Sequence, residues 1–357
     1  MAIPFKEPSP GYRYNAAEEM TAIDQHFEMR NVPASRNGRL LLASWNIANL
    51  GAQNRPPRAL QILSHMLSRF DLIAVQEVNN NFRTFEKIVR GMDGDFDFVM
   101  SDKAGNAERL AYIYRTDKVR VDKLWGEVAL TKREYPKRSV KVHFRKDGQD
   151  QTRTFKNHRF VPFDRNPYIG SFRCDKLGFV LANVHLYFGA FQNSSTEAKQ
   201  LKYARRVLEI FALSRWAERV SSGGNAWDRD IILLGDMNIP NMDQNESTIK
   251  ALKKFGWQSL DYVSDQTIGV DNTQLSHIGG SNLGNNKTYD QIALSPTALR
   301  GKVSKSGVFD FDNAVFKSKW DDLAGSLTRS KAISMFARYT KFHLSDHRPL
   351  WMELRTN

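Results

Sequence analysis

Residues 231–240, Ile-Ile-Leu-Leu-Gly-Asp-Met-Asn-Ile-Pro, constrain the fold more than any other stretch of the chain. Four consecutive apolar residues, two of them β-branched, fit a strand buried on both faces. The run breaks at Gly235, and a carboxylate and a carboxamide follow two residues apart. Side chains alternate along an extended chain, so Asp236 and Asn238 share a face and open on one pocket at the strand's C-terminal end. This pairing suits the handling of water beside an anion, because the carboxylate accepts a proton and the amide donates a hydrogen bond. An isolated Gly-Asp more often means a strand end followed by an Asx turn. Repetition sets this one apart, since other apolar strands in the chain end in the same manner.

Arg39–Ile47 is the first of these, ending in Ser44-Trp45-Asn46, and Asp71–Glu77 is the second. Glu108–Arg115, Phe179–Leu186 with His185, Lys287–Leu294 with Asp290, and His343–Leu354 with Asp346 and His347 complete the set. Apolar spacing predicts helices over Ala16–Met29, from Pro57 onward (Leu60, Leu63, Leu67) and over Phe82–Arg90. A longer helix follows a capping box of Ser194 and Glu197, is lined by Leu201, Ala204, Leu208 and Phe211, and closes at Gly223-Gly224. Residues 264–288 read as a polar loop rich in Gly, Asn and Ser. Strands mixed with helices imply α/β layers. Residues 1–38 read as an N-terminal extension packed on a body of residues 39–357, with 299–342 an insertion containing some helix.

The length of 357 residues suggests about two domains on its own. Lys and Arg number 52 against 39 Asp and Glu, a net +13 that favours polyanionic partners, nucleic acid first and anionic lipid second. Residues 115–160 are the most basic part, with 14 Lys or Arg against 6 acids. Such a run is either a solvated face or a hairpin that grips a nucleic-acid backbone. The one cysteine, Cys174, excludes an internal disulfide framework and a Cys-rich zinc site, and reads as a small buried hydrophobe. Met1–Pro10 has no apolar segment of the signal-peptide kind, and no window reaches the ~20 apolar residues of a membrane span. The expectation is a cytoplasmic protein.

The polar residues at the strand ends are oxygen or imidazole donors with no thiolate among them. Oxygen ligands with few histidines suit Mg²⁺, with Mn²⁺ or Ca²⁺ as alternatives, over zinc. Mg²⁺ needs only one or two carboxylates when waters and substrate phosphate complete its shell, so Glu77 with Asn46 is sufficient.

Ser44-Trp45-Asn46, Gln76-Glu77, Asn183-Val184-His185-Leu186, Gly235-Asp236-Met237-Asn238, Tyr289-Asp290 and Ser345-Asp346-His347 stand in the order of the endonuclease/exonuclease/phosphatase superfamily. From about residue 39 to 355 the chain resembles its deoxyribonuclease I-like members. The resemblance implies a four-layer α/β/β/α sandwich of two packed, mostly antiparallel sheets flanked by helices. It also implies one domain with insertions at 115–160 and 299–342, because motifs from residue 46 to 347 must meet in one pocket.

Position by position, the resemblance makes Glu77 the main metal ligand with Asn46 beside it, and puts Asp346 at a second metal-linked position. Asp236 orients or deprotonates the attacking water, and Asn238 contacts the phosphate. His347 binds the scissile phosphate as an imidazolium held by Asp290. His185, oriented by Glu108, is a general acid toward the leaving oxygen, a role worth ~10²–10⁴ in rate. Arg165, in Arg165-Asn166-Pro167, and Tyr112, in the strand that Glu108 opens, are placed at the substrate. The expected activity is Mg²⁺-dependent endonucleolytic cleavage of DNA by in-line attack of water. The alternatives are hydrolysis of lipid-headgroup or small phosphate esters, RNA or 3′-end exonuclease action, and a non-catalytic nucleic-acid-binding protein.

Overall fold

In the computed structural model, residues 4–146, 148–189, 195–222, 228–260, 280–283, 287–295, 297 and 299–357 are described. Helix α1 (Ala16–Met29) is capped by Asn15, whose side chain accepts from the Ala17 N–H, as cap residues do. β1 (Arg39–Leu50), α2 (Pro57–Leu67), β2 (Leu72–Val78), α3 (Phe82–Arg90), β3 (Phe96–Met100) and β4 (Arg109–Arg115) follow. Next come β5 (Arg120–Glu127), β6 (Lys137–Lys146), β7 (Gln149–Arg159), β8 (Tyr168–Cys174) and β9 (Leu177–His185). The 26-residue α4 (Thr196–Ser221) precedes β10 (Ile231–Asp236), α5 (Ser247–Lys253), β11 (Gln258–Ser259) and β12 (Asp290–Leu294). The chain closes with α6 (Leu299–Lys302), β13 (Val303–Val308), α7 (Lys317–Ser326), α8 (Arg329–His343) and β14 (Leu350–Arg355).

Among the described residues the strands form two six-stranded sheets, β13-β14-β1-β2-β4-β3 and β11-β12-β10-β9-β8-β5, with β6 and β7 a separate hairpin. Each sheet has one parallel pairing, at its centre: β1 with β2, and β9 with β10. Every other pairing within the two sheets is antiparallel. This is the predicted sandwich.

Both faces of the central strands are apolar, and alternate residues go to different cores. In β1, Leu40 and Leu42 pack between the sheets with Leu72, Leu181, Ile232 and Leu234. Leu41, Ala43, Trp45 and Ile47 turn outward onto Ile62, Met66, Phe85 and Phe336 of the helices. In the second sheet, Val180, Ala182, Ile231 and Leu233 turn outward onto Leu208, Leu213 and Leu252 of α4 and α5. Three apolar layers therefore lie between four layers of secondary structure. The N-terminal extension belongs to the outermost helical layer, since Tyr12, Ile23, Phe27 and Val32 are buried in it. Cys174 is buried between the sheets, and burial pushes its thiol up to about 12.

Several boundaries differ from those expected. His343 ends α8, Ser345-Asp346-His347 forms a loop, and the last strand starts only at Leu350. The 299–342 segment is not wholly outside the sheets, because β13 pairs with β14 and forms the edge of the first sheet. Helix α4 is capped by Ser195, whose side chain accepts from the Ala198 N–H; Ser194 and Gly223-Gly224 lie outside the described residues, as does most of 264–288. The basic segment contains the hairpin, which packs Val140, Val142 and Phe155 onto the α4 layer.

Candidate active site

Strand direction explains why distant residues meet. The central parallel pairs bring the C-terminal ends of β1, β2, β9 and β10 to one edge of the sandwich. An antiparallel neighbour then brings its N-terminal end to that same edge. Asp236 is level with His185 of β9 on one side and Asp290 of β12 on the other. Val78, after Glu77, is level with Arg109, after Glu108. The start of β14 is level with Ser44 of β1.

Alternation chooses the face. Leu40 and Leu42 lead to Ser44 and Asn46; Phe179 and Leu181 to Asn183 and His185; Ile232 and Leu234 to Asp236. Thus the apolar inter-sheet layer passes into a layer of amides and then into acids and imidazoles. In the amide layer Gln76 Nε2 donates to Asn183 Oδ1 at 2.7 Å across the two sheets. Asn183 Nδ2 donates in turn to the Val75 and Ala111 carbonyls. Glu77 breaks the pattern: alternation would send it outward with Ile73 and Val75. Its left-handed φ of 63°, with a register shift of β2 on β1 and on β4, re-aims it into the cleft. Such a conformation costs a non-glycine residue about 1–2 kcal/mol.

The cleft encloses about 760 Å³, and Glu77, Glu108, His185, Asp236, Asn238, Asp346 and His347 all line it. Asn46 Nδ2 lies 3.1 Å from both Glu77 Oε1 and Asp236 Oδ2, and the Asn49 N–H donates to Glu77 Oε2 at 2.7 Å. Asp236 Oδ1 accepts from the Asn238 N–H at 2.9 Å. Its Oδ2 faces two imidazoles, 3.6 Å from His185 Nε2 and 3.9 Å from His347 Nε2. Each imidazole has a carboxylate behind it: Glu108 Oε2 is 2.9 Å from His185 Nδ1, and Asp290 Oδ2 is 2.8 Å from His347 Nδ1. The His347 loop is tied to β1, because Ser345 Oγ donates to the Asn46 carbonyl and Trp45 Nε1 to that of His347.

Burial alone would discharge both imidazoles. The nearby carboxylates outweigh it. His185 is raised by Glu108 and Asp236 against burial and Arg165, and His347 is raised well above its ordinary value by Asp290, Asp236 and Asp346. Burial opposes the charge on Glu108 too, yet His185 and Arg165 hold that carboxyl at about 2. Asp346 is likewise held low against burial by His347 and Lys341. Both histidines thus favour the protonated form.

The residues fit a hard divalent cation. The Asn46 Oδ1 is buried with no hydrogen-bond partner among the described residues, and two carboxylates converge on the same side chain. Asp236, Asp290 and His347 also have ligand atoms within 4.8 Å of one another. There, however, Asp290 already holds His347 Nδ1 at 2.8 Å. The oxygens of Glu77 and Asn46 are the better match for Mg²⁺ chemistry.

Of the two expected substrate contacts, one lies outside the cleft and the other lines it with its guanidinium engaged by the protein. Tyr112 is fully buried between the sheets, its hydroxyl donating to the Tyr168 and Leu181 carbonyls and accepting from the Asn183 N–H. It is a core residue, and its parity with Leu110 is the reason. Arg165 reaches the cleft wall, but its guanidinium is committed to the His185 and Leu186 carbonyls and to Asp164. It braces the end of β9. Three residues escaped sequence reading. Lys341 bonds to Asp346 at the cleft rim and lies over the Phe5 ring. Buried Arg206 of α4 ties the Asn238 carbonyl (2.9 Å) to that of Tyr187 (3.1 Å). Phe188 stands edge-on to Tyr289 at the mouth. No spacing signalled Lys341 or Phe188, whereas an arginine amid the apolar residues of α4 was a readable clue to Arg206.

No family model and no curated protein matches the chain. Solved structures do, and their matches cover nearly the whole chain. One is an endonuclease/exonuclease/phosphatase family protein from Bacteroides thetaiotaomicron, 17% identical over 88% of this chain and 97% of that one, TM-score 0.48. A mannosyl-6-phosphatase of the same organism is 17% identical over 88% and 99%, TM-score 0.47. A truncated Caenorhabditis elegans TDP2 is 16% identical over 89% and 97%, TM-score 0.46.

Proposed function

We propose that the chain is a divalent-metal-dependent phosphodiesterase that cleaves DNA internally by in-line attack of water. The observation that carries this reading is Asp236, a carboxylate 3.6 and 3.9 Å from two imidazoles that each have a second carboxylate behind them. A phosphate oxyanion entering the cleft meets the cationic His347, held in place by Asp290, and the Asn238 amide. Fixed donors at developing charge form the largest part of such catalysis. Asp236 Oδ1 accepts the Asn238 N–H, and Oδ2, which also accepts from Asn46 Nδ2, orients the attacking water and takes its proton. His185, aligned by Glu108 on its far nitrogen, gives its proton to the leaving oxygen. Glu77 and Asn46 would hold the cation, which when bound would supply positive charge against that developing on the phosphate. The net +13 of the chain supports a polyanionic substrate.

Supercoiled plasmid incubated with Mg²⁺ tests the reading. Wild type yields nicked and linear forms, EDTA abolishes them, and Asp236→Ala and His347→Ala each lower the rate at least 10³-fold, an order typical for such groups, with folding intact by circular dichroism. Normal nicking by both variants refutes the assignment. Cleavage of a small phosphate ester with plasmid untouched replaces it with the phosphatase reading.

A further inference from the structure

The β6–β7 hairpin is not used by the chemistry just described, yet it holds eight Lys or Arg against two Asp between residues 137 and 159. Its apolar side chains, Val140, Val142 and Phe155, turn inward onto the α4 layer. Lys137, Lys141, Lys156 and Arg159 are exposed, and none has an ion pair with a carboxylate among the described residues. Of the acids on neighbouring elements, Glu197 pairs with Arg153, Glu134 with Arg219, and Glu246 caps α5. Lys250 and Lys254, at the end of α5, share with Arg138 and Lys141 a shallow groove of about 310 Å³ floored by Leu208 and Phe211.

The hairpin also has a fixed relation to the cleft. It leaves the second sheet after Glu127 and returns at Tyr168, residues paired with each other beside Asn183 at the active edge. Only five residues separate Arg159 from Arg165 on the cleft wall, at most about 20 Å of extended chain. Nucleic acid carries one phosphate per 3.4 Å of each strand, so a strand seated in the cleft reaches Arg159, the first of these cations, within roughly six further nucleotides.

We infer that the outer face of this hairpin, with the end of α5, is an exosite for the phosphate backbone of the nucleic acid that the cleft cuts. The inference rests on the phosphodiesterase reading for its direction, and the surface commits to a polymer. A small ester does not span the distance, and a bilayer would favour exposed apolar anchors where the hairpin shows charge.

The test separates binding from cutting. Affinity of the full chain for a fluorescein-labelled 30-base-pair duplex is measured in EDTA across a salt series, for wild type and Lys141→Glu/Lys156→Glu. The double variant is expected to bind at least tenfold more weakly, with a salt slope shallower by about 2 because each phosphate contact contributes roughly 0.9. Its hydrolysis of bis(p-nitrophenyl) phosphate with Mg²⁺ should stay unchanged, and its thermal transition should match wild type. Unaltered duplex affinity and slope overturn the exosite. So does hairpin-dependent binding of phosphatidylserine vesicles by a wild type that ignores the duplex. Should wild type bind the duplex through these lysines yet hydrolyse no phosphodiester, the catalytic reading fails while the surface stands.

Discussion

At the residue scale the site depends on backbone conformations as much as on side chains. Gly235 has φ 130°, and a Cβ there would lie 2.1 Å from the Val184 carbonyl oxygen. Alanine must therefore push β10 off β9 where Asp236 is level with His185. Gly235→Ala should cost about 2–4 kcal/mol in denaturant midpoint from strain plus overpacking, and lower cleavage more than a hundredfold. Wild-type stability of the variant would show that the close approach is dispensable. His343 offers a pH test. It is buried against Tyr14 and Phe316, and burial, with Arg58 and Arg55 nearby, lowers it to about 4. The unfolded chain binds this proton below about 6.5 and the folded one does not, so stability rises with pH between about 4 and 6.5. His343→Leu should remove about one proton from the uptake on unfolding near pH 5, measured as the pH slope of the urea-unfolding free energy.

At the element scale, the segment expected as an insertion supports the His347 loop. Arg348 donates two 2.7 Å hydrogen bonds to Asp312, both side chains being nearly inaccessible. Removing one partner strands a buried charge, so Asp312→Ala should cost about 3–5 kcal/mol, and Arg348→Met with Asp312→Leu should recover most of it. Denaturant melts of the single and double variants decide. Period and strand ends made much of the arrangement readable: Asn46, His185 and Asp236 each close an apolar alternation, and a polar residue there has nowhere to go but the cleft. The edge strand β5 escaped notice because a half-exposed, charged sequence carries little apolar pattern. Glu77 was readable as an acid, but not the left-handed turn that aims it. Tyr112 was misplaced because a motif shared with Glu108 says nothing of which layer a neighbour occupies.

At the scale of the whole molecule, a cation on Glu77 and Asn46 would bind only the folded chain, since the two residues are 31 positions apart. A ligand at a hundredfold its Kd adds about 2.7 kcal/mol. Saturating Mg²⁺ should therefore raise Tm by several degrees, and Glu77→Ala should remove the rise; an equal rise in the variant would put the ion elsewhere. The central strands suggest something further. Because they are greasy on both sides, oiliness alone does not say which side is which. A strand slid by one residue would still bury its leucines, but it would drive Asp236 or Asn183 into the outer helical layer, at a cost of several kcal/mol. The buried amides beneath the hydrolytic groups thus also act as alignment pins during assembly, and Asn183→Leu should fold into mixtures of slipped species sooner than it loses compactness.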